Sequence, residues 1–481
     1  MGQLTYQEVT SYLLSIPRFT AKHTMEDTCG FYQYMGSPCA DAKIIHVAGT
    51  NGKGSVCTYL RSVLERCGRH TALFVSPHLV TMRERFLFDS RPVSEEAFCA
   101  SFETVAKLLL AYHGKKEPVT LETLKTLSYH PSFFEMLFFM FLHCKKTGMA
   151  DYVILETGLG GRLDATNCMP KKTMCVLTRI ALDHTEYLGD TVEQIAREKA
   201  GIFRASTPVV SLWSDKESAE VIEACAKKMR APLQFVDSRD FKLEGIVNKS
   251  IAFSFQSVYY NSISLSLATT ACYQAENAAL ALRALETLLS EAEMVSSGQR
   301  MENTMPVRQA LEQTAPKTAE GSALTGFPTV DELREGIASA HWEGRMEEVL
   351  PEVYLDGAHN EDGIRALLTT VKQTGRDGDN VLVLAIVADK SYERMAELIA
   401  RSGLFLRVYV TSAGGERALA PKALAGALVR YGQQDCRVYE QPEQAFSCCL
   451  SKRGDHERVF VAGSLYLIGR IKAYLGRNSD D

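Results

Sequence analysis

Apolar positions in the first part of the chain switch between two periods. Lys43 to Ala48 is a short apolar run, the pattern of a buried strand. Helical spacing follows at once. Val56, Tyr59, Leu60, Val63, Leu64 and Cys67 recur at steps of three and four and share one face, and Gly68 stands at the expected helix stop. Further strands are expected at 71–75, 151–155 and 173–178, with helices between them and two short helices within 3–40. Pro77 ends the second strand and pushes Ser76 into an extended conformation. Ser132 and Glu135 form an S-x-x-E capping box ahead of a very apolar helix, a structural role preferred for Glu135 over a catalytic one. Thr191 to Arg204 reads as a helix capped by Thr191 and Gln194, with a stripe of Val192, Ile195, Ala196, Ile202 and Phe203. Lys199 lies on that stripe. A buried ammonium is costly, so this pattern alone favours a lysine whose stem packs while its amine reaches water.

The runs IAFSF and ISLSL within 251–267 suggest a hairpin, followed by a helix over 275–289. Residues 291–328 are polar and aperiodic and read as a surface insertion or linker. After 345 a second pattern begins, with strands at 352–356, 381–387, 406–411 and 459–462. Helices at 361–372, 391–402, 421–431 and 464–475 alternate with them. Such alternation implies parallel sheets with crossover helices. Two domains are expected, 1–340 and 345–481.

Composition narrows the class. The chain has 481 residues, 46% of them hydrophobic and 23% charged, as in ordinary globular proteins. A net charge of −5 argues against a general nucleic-acid binder. Thirteen cysteines without a CxxC pair or metal spacing read as reduced thiols. The start MGQLTYQEVT lacks a signal leader and misses the myristoylation pattern at Tyr6, and the most apolar stretch, Phe133 to Leu142, is too short to span a bilayer. A cytoplasmic protein with no membrane segment is expected.

The chemistry begins at Gly49-Thr-Asn-Gly-Lys-Gly-Ser55, between the first strand and its helix. Glycines let backbone N–H groups wrap an anion, and the helix N-terminus adds positive potential. Lys53 can reach outer phosphates and the Ser55 hydroxyl can ligate Mg²⁺. The order differs from the common phosphate loop, because Gly54 separates the lysine from the hydroxyl. An N-terminal P-loop ATPase-like domain with a central mostly parallel sheet is therefore expected, with a smaller Rossmann-like α/β domain after it. Ser55, Ser76, Glu156 and His184 each follow an expected strand end, where such sheets bind ligands. Arg83 and Arg85 fit an anion grip or a solvated surface equally.

The GTNGKGS loop resembles the Mur ligase superfamily, and the rest of the chain narrows the likeness. HVAGTNGKGSV at 46–56, SPHL at 76–79, RERF at 83–86, ETGLGGRLDATN at 156–167, ALDHTEYLG at 181–189, REKAGIF at 197–203, DGAHN at 356–360 and GSLYLIG at 463–469 resemble folylpolyglutamate synthases, many of which are also dihydrofolate synthases. The resemblance implies an ATP-dependent ligase: ATP phosphorylates a folate or dihydropteroate carboxylate, and the amine of L-glutamate displaces the phosphate. It implies nucleotide binding by Asn51, Gly52, Lys53, Gly54, Ser55, Gln274, Asn277, Arg345, Asp356 and His359, with Gln274 and Asn277 at adenine. It implies two Mg²⁺ ions held by Ser55, Ser76, Glu156, His184 and Lys199, the last carbamylated, and catalytic roles for Lys53, Glu156, His184 and Lys199. A monomer without nucleic-acid or membrane partners is expected. The pattern departs at Tyr273, Glu343 and Glu361, where His, Pro and Pro are usual. The rival reading within the superfamily is a peptidoglycan-precursor ligase.

Overall fold

The computed structural model describes residues 4–16, 24–116, 120–144, 146–297, 327–374, 379–415 and 417–479. Its largest sheet has eight strands, in the order β4 (Arg91–Pro92), β3 (Phe86–Phe88), β2 (Thr71–Phe74), β5 (Tyr152–Glu156), β1 (Lys43–Ala48), β6 (Met174–Leu177), β7 (Val209–Leu212) and β8 (Leu233–Val236). From β2 to β8 every pairing is parallel, while β3 and β4 add an antiparallel edge. The order places β1 at the centre, with β5 on one side and β6 on the other. The chain leaves β1 toward β2 on one side, whereas it leaves the neighbouring β5 toward β6 on the other, so connections diverge here, the switch point at which open α/β sheets bind ligands.

Residues 53–66 form the expected helix, and its face from Val56 to Leu64 is buried. It packs against the helices Tyr273–Ser297 and Val330–Ser339, where Ser62 Oγ donates to the Gly336 carbonyl at 2.6 Å. The opposite face of the sheet carries an aromatic-rich core that includes Phe74, Phe86, Phe138 and Phe141. Here the capping box at Ser132 and Glu135 forms as expected, and the buried Glu135 also accepts from Thr28 Oγ1 at 2.5 Å.

The hairpin expected at 251–267 forms as β10 (Ser250–Ser257) and β11 (Asn261–Leu267), but a third antiparallel strand, β9 (Phe241–Val247), precedes it. The helix expected over 275–289 runs on to Ser297, so the polar change at 291 does not end it. Most of the expected insertion, 298–326, lies outside the described residues. The helix expected to reach Arg204 stops at Ala200. There the Glu198 carbonyl accepts the Arg162 N–H at 2.8 Å, taking the acceptor that the next helical turn would need.

The third sheet has the order β12 (Arg345–Leu350), β13 (Val353–Asp356), β17 (Arg458–Ala462), β14 (Asn380–Leu384), β15 (Arg407–Val410) and β16 (Asp435–Val438). All its pairings are parallel except β12 with β13. Strands β12 and β16 were not expected. Both are edge strands with mixed burial, so neither carries an apolar run. Among the described residues no helix is long and apolar enough to cross a membrane.

Candidate active site

The phosphate loop connects β1 to the helix Lys53–Arg66 and is fitted closely to its surroundings. Gly49 has φ +154°, and a Cβ there would lie 1.8 Å from Thr178 Oγ1. Gly52 is left-handed at φ +89°, and its Cβ would meet Asn277 Oδ1 at 2.3 Å. Gly52 is also the helix N-cap and supplies no side-chain acceptor, so first-turn N–H groups remain available to an anion. The Lys53 amine donates to the carbonyls of Gly49 and Thr50, at 3.1 Å each. Ser55 Oγ accepts from Gln274 Nε2 at 3.0 Å, and Asn277 Nδ2 holds Gln274 Oε1 at 3.1 Å.

Lys199 does not snorkel. It is 4% exposed and donates from Nζ to the Gly49 carbonyl at 2.7 Å. Burial, aided by the Lys53 ammonium, lowers its amine to about 7 against the pull of Asp183 and Asp164. Glu156 ends β5, the neighbour of β1, and is 3% exposed. Its Oε2 accepts the Ser76 N–H at 2.9 Å, which brings the segment after β2 beside it. Burial raises the Glu156 pKa, while Lys53, the Ser76 N–H, Arg345 and Arg85 oppose the rise. The turn after Glu156 is pinned by Asp164, whose Oδ2 accepts from Gly158 N at 2.8 Å and Leu159 N at 2.9 Å.

His184 lies beyond β6 in a left-handed conformation, φ +50°. Burial lowers its pKa to about 4, with Lys390 and Lys53 adding to the effect and Asp183 opposing it, so its imidazole is neutral at pH 7. The surrounding polar contacts cross between the two sheets. Lys390 pairs with Asp183 and lies 3.3 Å from His184 Nε2. Asn360 Nδ2 donates to Asp183 Oδ2 at 2.9 Å and to Asn51 Oδ1 at 3.1 Å. Asn51 Nδ2 donates back to Asn360 Oδ1 at 3.1 Å and to Asp362 Oδ2 at 2.7 Å. His359 Nε2 is 3.8 Å from Asp183 Oδ2, and burial likewise lowers its pKa to about 4. Asp183, Lys390, Asn360 and Asp164 were given no role from the sequence, although Asp183, Asn360 and Asp164 lie within the motifs ALDHTEYLG, DGAHN and ETGLGGRLDATN.

Asp356 ends β13 and is buried, which raises its pKa. Its oxygens accept from Tyr273 Oη at 2.6 Å, Met346 N at 3.0 Å and Ala358 N at 2.9 Å. The departure at Tyr273 thus supplies a hydrogen bond from the start of the helix Tyr273–Ser297 to the end of β13. Arg345 Nη1 donates to the Gly344 carbonyl at 3.1 Å.

Two cavities share Ser55 and Arg345 in their linings. One, of about 190 Å³, is bordered by Gly49 to Ser55, Ser76, Glu156, His184, Lys199 and Asp356. The other, of about 380 Å³, is lined by Thr58, Thr270, Gln274 and Trp342 among others. Arg83 and Arg85 separate: Arg83 donates to the Val93 carbonyl at 3.3 Å near the surface, while buried Arg85 donates from Nε to His78 Nδ1 at 2.8 Å.

Among the described residues no group of three or more His, Cys, Asp or Glu side chains could by itself hold a metal ion. The donor set nevertheless fits Mg²⁺, which takes one or two carboxylates and completes its shell with phosphates and water. Glu156 is a buried carboxylate, His184 is a neutral imidazole, and Ser55 and Ser76 stand at the same cleft.

Comparison with known proteins identifies the family. Residues 107–285 match the Mur ligase middle domain and 344–465 the Mur ligase glutamate ligase domain. The dihydrofolate synthase/folylpolyglutamate synthase of Bacillus subtilis is 31% identical over 98% of this chain and 99% of its own. The folylpolyglutamate synthase of Lacticaseibacillus casei is 26% identical over 98% and 99%. The Mycobacterium tuberculosis folylpolyglutamate synthase complexed with ADP superposes with a TM-score of 0.80 at 25% identity, covering 98% of each chain. Escherichia coli FolC in complex with DHPP and ADP gives 0.77 at 25% identity, covering both chains fully. By likeness over nearly its whole length, the chain belongs to the dihydrofolate synthase/folylpolyglutamate synthase family of Mur ligases.

Proposed function

We propose that this chain uses ATP to join L-glutamate to the carboxylate of a folate, and also to dihydropteroate. The observation that carries this reading is the convergence of the phosphate loop, Glu156, Ser76, His184 and Lys199 on one cleft, at the carboxyl ends of adjacent parallel strands. A carboxylate is a poor acyl donor, so it must lose an oxygen as phosphate before an amine attacks it. That requires two anions to approach, and the cleft meets the requirement with cationic and N–H groups rather than with an acid–base dyad.

In this reading the loop N–H groups and Lys53 bind the ATP phosphates, and Arg345 reaches them from the second unit. Gln274, held by Asn277, contacts adenine. Asp356 and His359 contact the nucleotide once the two units, 1–340 and 345–481, come together. Ser55 and Glu156 would hold one Mg²⁺, and Ser76, Glu156 and His184 a second. Bound there, the ions would neutralise phosphate charge as the oxygens meet. Lys199 has the chemistry for carbamylation, since a buried amine lowered to about 7 is substantially unprotonated at neutral pH. Its carbamate would give the second ion an anionic oxygen. Asp183, Asn360 and Lys390 orient the His184 loop against the second unit. The enzyme acts as a cytoplasmic monomer on small molecules.

The test is a product assay with purified protein, ATP, Mg²⁺ and glutamate, offering dihydropteroate or tetrahydrofolate. The expected result is ADP together with a product heavier by one glutamyl residue. ADP release that ignores glutamate, or products only with peptidoglycan precursors, would overturn the reading.

A further inference from the structure

The motifs SPHL and GSLYLIG each contain a residue that the proposed chemistry leaves without a role, Leu79 and Gly469. In three dimensions the two meet. Gly469 lies in the helix Leu465–Ser479 and has no left-handed φ, so conformational freedom does not explain it. Close approach does. A Cβ there would lie 2.2 Å from the Leu79 carbonyl oxygen and 3.1 Å from its carbonyl carbon. Gly344, the residue before Arg345, faces the same leucine: its Cβ would lie 3.4 Å from Leu79 Cδ1 and 3.2 Å from Ile468 Cγ2. Leu79 is half-buried and packs against the apolar core that includes Val353, Leu355, Val461 and Ile471. Every other described member of that core lies at or beyond residue 349. One leucine of the first unit is therefore seated in the core of the second.

The segment that carries Leu79 is held at many points and leads to the reaction centre. The Glu84 carboxylate accepts the N–H groups of Leu79 at 2.7 Å, Val80 at 3.0 Å and Thr81 at 2.6 Å. His78 Nδ1 accepts from Arg85 Nε at 2.8 Å. Three residues before Leu79, the Ser76 N–H donates to Glu156 Oε2 at 2.9 Å. A segment locked by so many bonds carries a displacement of Leu79 to Ser76 rather than absorbing it. We infer that Leu79 is a positioning residue: its seat against Gly344 and Gly469 ties the Ser76 segment to the second unit and so sets Ser76 against Glu156. Gly469 stays bare because the Leu79 carbonyl lies against its helix. The polar bonds at Asn51 and Asp183 tie the second unit to the segments after β1 and β6. Leu79 ties it to the segment after β2, on the far side of β5 and Glu156.

This role rests on the ligase reading above, so its test includes a readout that needs no turnover. In hydrogen exchange on the full-length protein, Gly469→Ala should speed exchange of the segment 76–81 by about tenfold or more, although the substitution lies in the other unit. Exchange of the loop 49–55 should stay as in the unmodified chain. Leu79→Ala should act in the same way, and Leu79→Met, which keeps an apolar side chain of similar volume, should restore most of the protection. Turnover of Leu79→Ala should fall by about tenfold or more, the scale of a misplaced reacting group. Its ADP affinity, measured by calorimetry, should stay within about twofold, since the phosphate loop is untouched. The Leu79→Ala, Gly469→Ala double variant should lose no more turnover than the worse single variant, because both break one contact. Unchanged exchange at 76–81 in Gly469→Ala, exchange raised equally across the first unit, or unmodified turnover in Leu79→Ala would each overturn the role. If the unmodified chain forms no amide, the ligase reading fails, and the exchange measurement still decides whether Leu79 ties the units. If Gly469→Ala does not fold, the exchange of Leu79→Ala and its recovery in Leu79→Met decide alone.

Discussion

The phosphate loop and the seam between the two units face each other across one cleft, but they are built differently. The loop is fixed by backbone. Its strand is the centre of the parallel sheet, the Thr50 N–H donates to the Arg179 carbonyl at 2.8 Å, and glycines sit where any side chain would collide. The seam is made by side chains: Asn51 with Asn360 and Asp362, and Asp183 with Lys390 and Asn360. Backbone placed by a sheet is present before substrate arrives. Contacts between side chain tips can be broken and remade as units move. The difference assigns phosphate binding to the first region and assembly of the reacting geometry to the second.

Lys53→Ala tests the first region most severely. Turnover should fall by about a thousandfold or more, with thermal stability little changed, because the amine contacts only loop carbonyls. Near-normal turnover would refute the phosphate-loop assignment. Lys199→Ala should be almost as damaging, and small carboxylic acids should partly restore it. Lys199→Arg should not substitute, since a guanidinium stays cationic. Because the amine loses its proton as pH rises through about 7, a carbamate signal from ¹³C-bicarbonate should grow over that interval and fade below it. A free amine at pH 8 together with an active Lys199→Arg enzyme would remove the carbamate from the account.

Glu156→Gln and His184→Ala join the two regions. Each should reduce turnover by about a hundredfold or more, and the double variant should lose far less than the product of the two. Additive losses would mean that they serve separate sites. Asp356→Ala sharpens the seam: ATP use should weaken by about ten- to a hundredfold while the first unit keeps its stability. Unchanged ATP affinity and turnover would remove the second unit from the nucleotide site. The smallest effect is expected for Asn51→Ala, at several fold in turnover, because it removes only the side-chain bonds to Asn360 and Asp362. A loss as large as that of Lys53→Ala would place Asn51 in the phosphate site proper.

The same contrast governs what the sequence disclosed. Central strands such as β1, β5 and β14 are buried along most or all of their length and show as apolar runs. Edge strands β12 and β16 alternate irregularly and did not show. The loop could be read because its glycines, lysine and hydroxyl are contiguous. Glu156 and His184 could be placed because each follows a recognisable strand. Asp183 and Lys390 meet across 207 positions, and neither has a local pattern that forecasts the other. Lys199 was half legible: its stripe implied burial, but its acceptor is the carbonyl of Gly49, 150 residues away. Gly54 was visible as an oddity, but no local pattern forecasts that a Cβ there would lie 2.6 Å from the indole of Trp342.

The central claim is that one cleft activates a carboxylate as its acyl phosphate before the amine attacks. The most direct measurement is isotope transfer. The protein is supplied with ATP, Mg²⁺, glutamate and a folate or dihydropteroate whose carboxylate carries ¹⁸O, and the released inorganic phosphate is analysed by mass. The account predicts one ¹⁸O atom in phosphate for each amide formed. Amide formation with no label in the phosphate would contradict it.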